Sequence, residues 1–210
     1  MKAQFDRRHF LAGTAAIGAA LAAGLSPAAV SAADHPNTAK PETPMATLSL
    51  NSLYTGSLSA TSLTGEAADR FAIQDLINGW AHCADRRLPE KQAALFTADG
   101  VVSIYMGDPE KTQPVSTLRG AAELIPALGE LRKFSQTTHM NGQSTLVVRG
   151  DRAVGESYCF AHQISETDGK RELQILAIRY YDDFVRQGDR WLFAQRKLII
   201  DWSETRPLAA

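Results

Sequence analysis

Three short turns divide the second half of the chain: Arg149-Gly150-Asp151, Thr167-Asp168-Gly169 and Gln187-Gly188-Asp189. The runs they separate are Thr138 to Val148, Ala153 to Ser165, Glu172 to Val185 and Trp191 to Trp202. Each run is rich in the β-branched and aromatic residues that suit a pleated surface. Gly/Asp turns join neighbouring strands antiparallel, so these runs predict a meander of three hairpins. The stretch before them has a different period. Phe71, Ile73, Leu76, Ile77, Trp80, Ala81 and Ala84 form a 3.6-residue stripe that starts after Thr64-Gly65-Glu66 and ends near Arg86-Arg87, whose charges suit a helix C-terminus. Pro89 opens a second short helix through Phe96. Thr97 to Gly100 reads as a turn, Val101 to Met106 as a strand, and Ala121 to Phe134 as a third helix interrupted at Pro126. Helices followed by a strand-rich meander define an α+β fold.

The first third reads as something other than fold. From Phe10 to Ala33 there is no Asp, Glu, Lys or Arg, and Asp6-Arg7-Arg8-His9-Phe10-Leu11 stands just before this run. A basic start, an apolar stretch and the small residues Val30-Ser31-Ala32 make a secretory signal over residues 1–33. The paired arginines followed by Phe-Leu resemble the twin-arginine (Tat) signal, which implies a folded passenger and a periplasmic or secreted location. An uncleaved anchor is the competing reading, but Gly13, Gly18, Gly24, Ser26 and Pro27 suit a spanning helix poorly. Residues 34–64 are rich in Ser, Thr and Pro and read as a linker or arm, with Leu48 to Leu53 able to add an edge strand. The fold is left to residues 65–206, enough for one buried core. The net charge of −1 holds no clustered basic excess, which excludes nucleic acid as a partner. The expected partner is a small molecule, with no membrane contact once the signal is removed. Two cysteines allow at most one bridge.

The order of elements, with several local signatures, resembles the nuclear transport factor 2-like superfamily in its SnoaL-like branch. The signatures are Asp69-Arg70-Phe71-Ala72-Ile73-Gln74-Asp75-Leu76, Asp85-Arg86-Arg87, Phe96-Thr97-Ala98-Asp99-Gly100 and Trp191-Leu192-Phe193. The resemblance covers Asp69 to Thr205. It implies a cone: a curved antiparallel sheet wrapped around a pocket and covered by three N-terminal helices. Sheets of this kind usually bury their convex face against another copy, so a homo-oligomer is expected, with Leu173 to Tyr181 as an apolar strand suited to it.

Asp85 falls four residues after Ala81, beside the stripe that should face the pocket, where a carboxylate needs a partner. His139 near the start of a long strand is the natural one. A carboxylate on one imidazole nitrogen fixes the tautomer and raises the basicity of the other, making a general base. The resemblance extends to this pair. Trp80-Ala81-His82-Cys83-Ala84-Asp85 and Thr138-His139 are similar to the corresponding segments of scytalone dehydratase, and hexachlorocyclohexane dehydrochlorinase uses the same pair for an elimination. A helix-end Asp and a strand His satisfied by backbone is the plain structural alternative.

The same resemblance implies further roles. His162 matches a second pocket histidine, an acid for a departing oxygen, or turns outward if the strand register differs by one residue. Tyr105 matches a substrate-orienting tyrosine. Arg196 matches a pocket arginine that stabilises negative charge, or is an exposed strand residue packed on Tyr180 or Tyr181. Trp80, Ile178 and Tyr180 replace more polar residues of those enzymes, so their substrates are not expected here. These three should line a pocket for a small, flat, mostly apolar substrate.

His82, Cys83 and Asp85 lack a convincing third ligand, so no metal is expected, and no cofactor. Cys83 and Cys159 read as small buried hydrophobes or as one bridge. There is no G-x-S-x-G, which excludes a nucleophile-elbow hydrolase. Two functions compete: a cofactor-free, dehydratase-like lyase or isomerase using Asp85 and His139, and a non-catalytic small-ligand binding or assembly module. The second includes a role like that of the small subunit of ring-hydroxylating dioxygenases.

Overall fold

A computed structural model describes residues 64–209. The export segment and all of the arm but Thr64 therefore lie outside the described residues. Helix α1 (Gly65–Asp85) forms on the expected stripe and buries Ile73, Leu76, Ile77, Trp80, Ala81, Cys83 and Ala84. Phe71 does not join them and is exposed. At about 100° per residue it lies about 160° round the helix from Ile73.

The end of α1 is a Schellman motif. Arg87 N–H donates to Ala84 O at 3.0 Å and Leu88 N–H to Cys83 O at 2.9 Å. The left-handed residue is Arg87 (φ 54), where glycine is usual. Helix α2 (Pro89–Ala93) follows, with proline at its first turn. Strand β1 (Phe96–Met106) begins earlier than predicted, because the expected turn at Thr97–Gly100 is an irregularity inside the strand. Gly100 is required there: an added Cβ would stand 2.7 Å from Phe96 Cβ. Strand β2 (Ser116–Arg119) leads into helix α3 (Gly120–Gly129), which contains Pro126 and tightens to a 3₁₀ turn at Glu130–Lys133.

The meander is formed by β3 (Gln136–Arg149), β4 (Arg152–Thr167), β5 (Lys170–Gln187) and β6 (Arg190–Pro207). Its two-residue turns use Gly150 (φ 58), Asp168 and Gly169 (φ 52 and 71) and Gly188 (φ 64), the positive φ that twisted hairpins demand. The sheet order is β2-β1-β6-β5-β4-β3. The expectation of a purely antiparallel sheet is corrected here: β1 runs parallel to β6. That pairing joins strands far apart in sequence, so no hairpin constrains its direction. Register shifts at Asn141/Ser144, Ala177/Ile178 and Asp183/Phe184 bend the sheet.

The core fills the concave side. Phe193 packs on Phe96 and Phe184 with ring centroids 5.0 and 5.2 Å apart, and Trp80 meets Phe96 edge-on at 5.6 Å. Asp69 fastens the start of α1 to the β5–β6 hairpin. It accepts from Trp191 Nε1 at 3.0 Å and pairs with Arg186 at 2.6 Å. Burial alone would raise the Asp69 carboxyl, but these donors hold it below its ordinary range.

Candidate active site

Asp85 is the last residue of α1, where unpaired carbonyls make a carboxylate unfavourable. Strand β3 compensates. His139 donates its backbone N–H to Asp85 Oδ2 at 2.8 Å, and its Nδ1 lies 3.0 Å from Asp85 Oδ1. Both carboxylate oxygens thus hold one residue. With Nδ1 engaged, Nε2 is the nitrogen left for chemistry. Arg87 braces the same corner: Nη1 donates to Asp85 O at 3.1 Å and Thr137 Oγ1 at 2.7 Å, and Nη2 to Phe134 O at 3.0 Å. The strained helix end is therefore tied to the strand that carries His139.

His139 lines a cavity of about 90 Å³. Its walls are Trp80 and Ala84 of α1, Gln92 of α2, Val102 and Ile104 of β1, the α3 region, and Gln163, Leu176, Ile178, Tyr180, Leu198 and Ile200. Trp80, Ile178 and Tyr180 are thus among the side chains that line it. Tyr180 is 1% exposed, and burial pushes its phenol well above the ordinary range, so it stays a neutral donor.

Three expected site residues lie elsewhere. His162 faces outward: Ala161 opposes His139 on the inner face, Gln163 lines the cavity, and strict alternation turns His162 away. Burial, assisted by Arg206, lowers its pKa. Tyr105 is turned out by the same alternation, since Val102 and Ile104 face in. Arg196 is neither in the cavity nor on the surface. It lies behind Tyr180 in a bidentate pair with Asp182, both bonds 2.7 Å, with its guanidinium 4.0 Å from the Tyr180 ring and 4.2 Å from Phe193. Burial raises the Asp182 carboxyl, an effect Arg196 offsets in part.

Three side chains were missed: Gln163, Gln92 and Arg87. Counting alternation from Cys159 would have found the first; the other two depend on tertiary packing. Cys83 and Cys159 are buried free thiols, raised by burial to about 11 and about 12. Among the described residues no three His, Cys, Asp or Glu side chains converge as a metal site requires, and no helix is long and apolar enough to cross a membrane.

A search of curated proteins returns no match. Among solved structures, a scytalone dehydratase-like protein of Novosphingobium aromaticivorans is 24% identical with a TM-score of 0.57, over 69% of this chain and 91% of that one. A hexachlorocyclohexane dehydrochlorinase of Novosphingobium barchaimii is 19% identical with a TM-score of 0.54, over 69% and 92%. An NTF2-like protein with a cystatin-like fold from Novosphingobium aromaticivorans is 22% identical with a TM-score of 0.50, over 63% and 81%. At these identities the likeness speaks for the fold. The model of the SnoaL-like domain matches residues 65–197. With its curved six-stranded sheet, this chain belongs to the SnoaL-like domain family, within the nuclear transport factor 2-like fold.

Proposed function

We propose that the chain is a cofactor-free lyase or isomerase of the dehydratase type, with His139 as base and Asp85 as its orienting carboxylate. The observation that carries this is the two-point grip of Asp85 on His139 at the wall of an apolar cavity. Nε2 takes a proton from carbon beside a carbonyl, and the electron pair forms an enolate. In a dehydration the pair then forms the double bond as the β C–O bond breaks. The imidazolium returns its proton to the departing hydroxide, releasing water. Asp85 stabilises the imidazolium in between. Tyr180 and Gln163 are the cavity's neutral donors for the developing oxygen charge.

The matching likeness to a scytalone dehydratase-like protein and a dehydrochlorinase supports an elimination over a carrier role. So does the contact itself, since a pure binding cup has no need of a braced imidazole. The test is turnover of small β-hydroxy ketones and aldehydes, followed by enone absorbance. His139→Ala should lose about 10²–10⁴-fold with its melting curve retained. Turnover undiminished in that variant rejects the mechanism.

We further propose twin-arginine export, on Arg7-Arg8 and the uncharged run after them. A reporter fused after residue 33 should leave the cytoplasm, and Arg7→Lys/Arg8→Lys should hold it back. A homo-oligomer through the outer sheet face is proposed from Met140, Phe160 and Trp202, which are exposed in one cross-strand row. Trp202→Glu should lower the mass seen by ultracentrifugation.

A further inference from the structure

Gln163 is fully buried, lines the cavity, and has no hydrogen-bond partner at either Nε2 or Oε1. Buried amides are almost always paired, and an unpaired one destabilises the fold. In a wall that is mostly aliphatic and aromatic, Leu at this position would serve the fold better. Gln92 repeats the pattern more weakly: Nε2 donates to Trp80 O at 3.1 Å, while Oε1 is buried and unpaired at the same cavity. Exchanging amide O and N of Gln163 changes nothing, since both atoms lack partners.

The register fixes the distance to the base. His139 opposes Ala161, and Gln163 is two residues further along β4 on the same face. Such diagonal neighbours stand about 7–8 Å apart, a gap one small molecule can bridge. No Lys, Arg, Asp or Glu lines the cavity, so a charged ligand would enter at the cost of desolvation without a counter-ion. A hydrocarbon or halocarbon would leave the amide unpaired.

We infer that Gln163 is the specificity residue of this cavity, and that the ligand is a small uncharged hydroxy-carbonyl compound. Its carbonyl accepts from Nε2, its hydroxyl donates to Oε1, and Gln92 Oε1 is a further acceptor. This deepens the dehydratase reading by naming its substrate class, but the binding claim does not need turnover.

The experiment compares acetoin, a hydroxy ketone with no β-hydroxyl to eliminate and so a probe of binding alone, with butanone, which has the same carbon skeleton without the hydroxyl, by NMR titration of the full chain. Wild type should bind acetoin about tenfold tighter or more. Gln163→Leu should abolish that preference, whereas His139→Ala should keep it. Ligand-free Gln163→Leu should melt no lower than wild type, because the amide it removes is unpaired. Equal binding of both ketones by wild type overturns the inference and leaves water as the amide's partner. A preference surviving in Gln163→Leu, or a lowered melting temperature, overturns it too. Turnover of β-hydroxy ketones retained in His139→Ala with the acetoin preference intact would instead reject only the catalytic reading.

Discussion

Arg196→Met separates a buried structural arginine from a catalytic one. The side chains of Arg196 and Asp182 are 0% and 1% exposed, and each carboxylate oxygen of Asp182 receives one 2.7 Å bond from Arg196. Met keeps most of the stem that packs under Tyr180, Phe193 and Trp80, so the main loss is the charge. Removing one partner of a buried pair costs about 3–5 kcal/mol, a large share of the 5–15 kcal/mol typical of a domain. The effect has a pH signature. The folded-state value of Asp182 is already raised, so its ionisation destabilises the fold as pH rises through that value. Without Arg196 the value rises further, and the wild type–variant difference should grow from about pH 4 to about pH 7. Arg196 Nη1 is buried and unpaired even in the intact pair. Asp182→Leu/Arg196→Met should therefore recover to within about 1 kcal/mol of wild type or exceed it. Urea melts at both pH values give all three numbers. A single-variant loss below about 1 kcal/mol, a pH-independent difference, or a double variant no better than the single would refute the reasoning.

Arg87→Ala should cost about 1–3 kcal/mol in urea melts and lower turnover with Asp85 and His139 intact, because three hydrogen bonds at the helix end are lost; an unchanged rate would sever that brace from the chemistry. Native protein at pH 8 should resist iodoacetamide, since the thiols lie near 11 and 12; mass spectrometry showing either cysteine alkylated before unfolding would contradict this. His162→Gln should leave turnover unchanged. Because the folded-state value of His162 is depressed below 6.5, its contribution to stability is present above that pH and lost on acidification, so the variant should lose less stability than wild type as pH falls below 6.5.

The hairpins were legible because their turns are chemically explicit: Gly150, Gly169 and Gly188 sit where positive φ is needed. Helix α1 was legible from its stripe, and Asp85 with His139 from the cost of a carboxylate beside that stripe. Strand β2 and the parallel β1–β6 pair were not, because neither has a local turn to announce it. His162 and Gln163 show the limit most sharply. A strand carries its faces at period two, so an error of one residue exchanges an outward imidazole for an inward amide. Arg196 was expected in the cavity from its match to a pocket arginine, or else on the surface, and its buried partner makes it neither. Asp182 lies on the neighbouring strand in direct register with it.

The place of β6 in the sheet has a consequence for how the chain reaches its native state. It lies between β1 and β5, yet among the described residues it is the last strand to leave the ribosome. Until residues 190–207 emerge, β1 and β2 have nothing to join on their inner edge, and β3 to β5 form a sheet with an unfilled side. Pairing Phe96 of β1 with Phe193 of β6 closes a loop that spans most of the sheet-forming chain, the kind of late, non-local event that slows folding. Folding should therefore be completed only once β6 is available, and ribosome-bound chains stalled before β6 should remain protease-sensitive throughout.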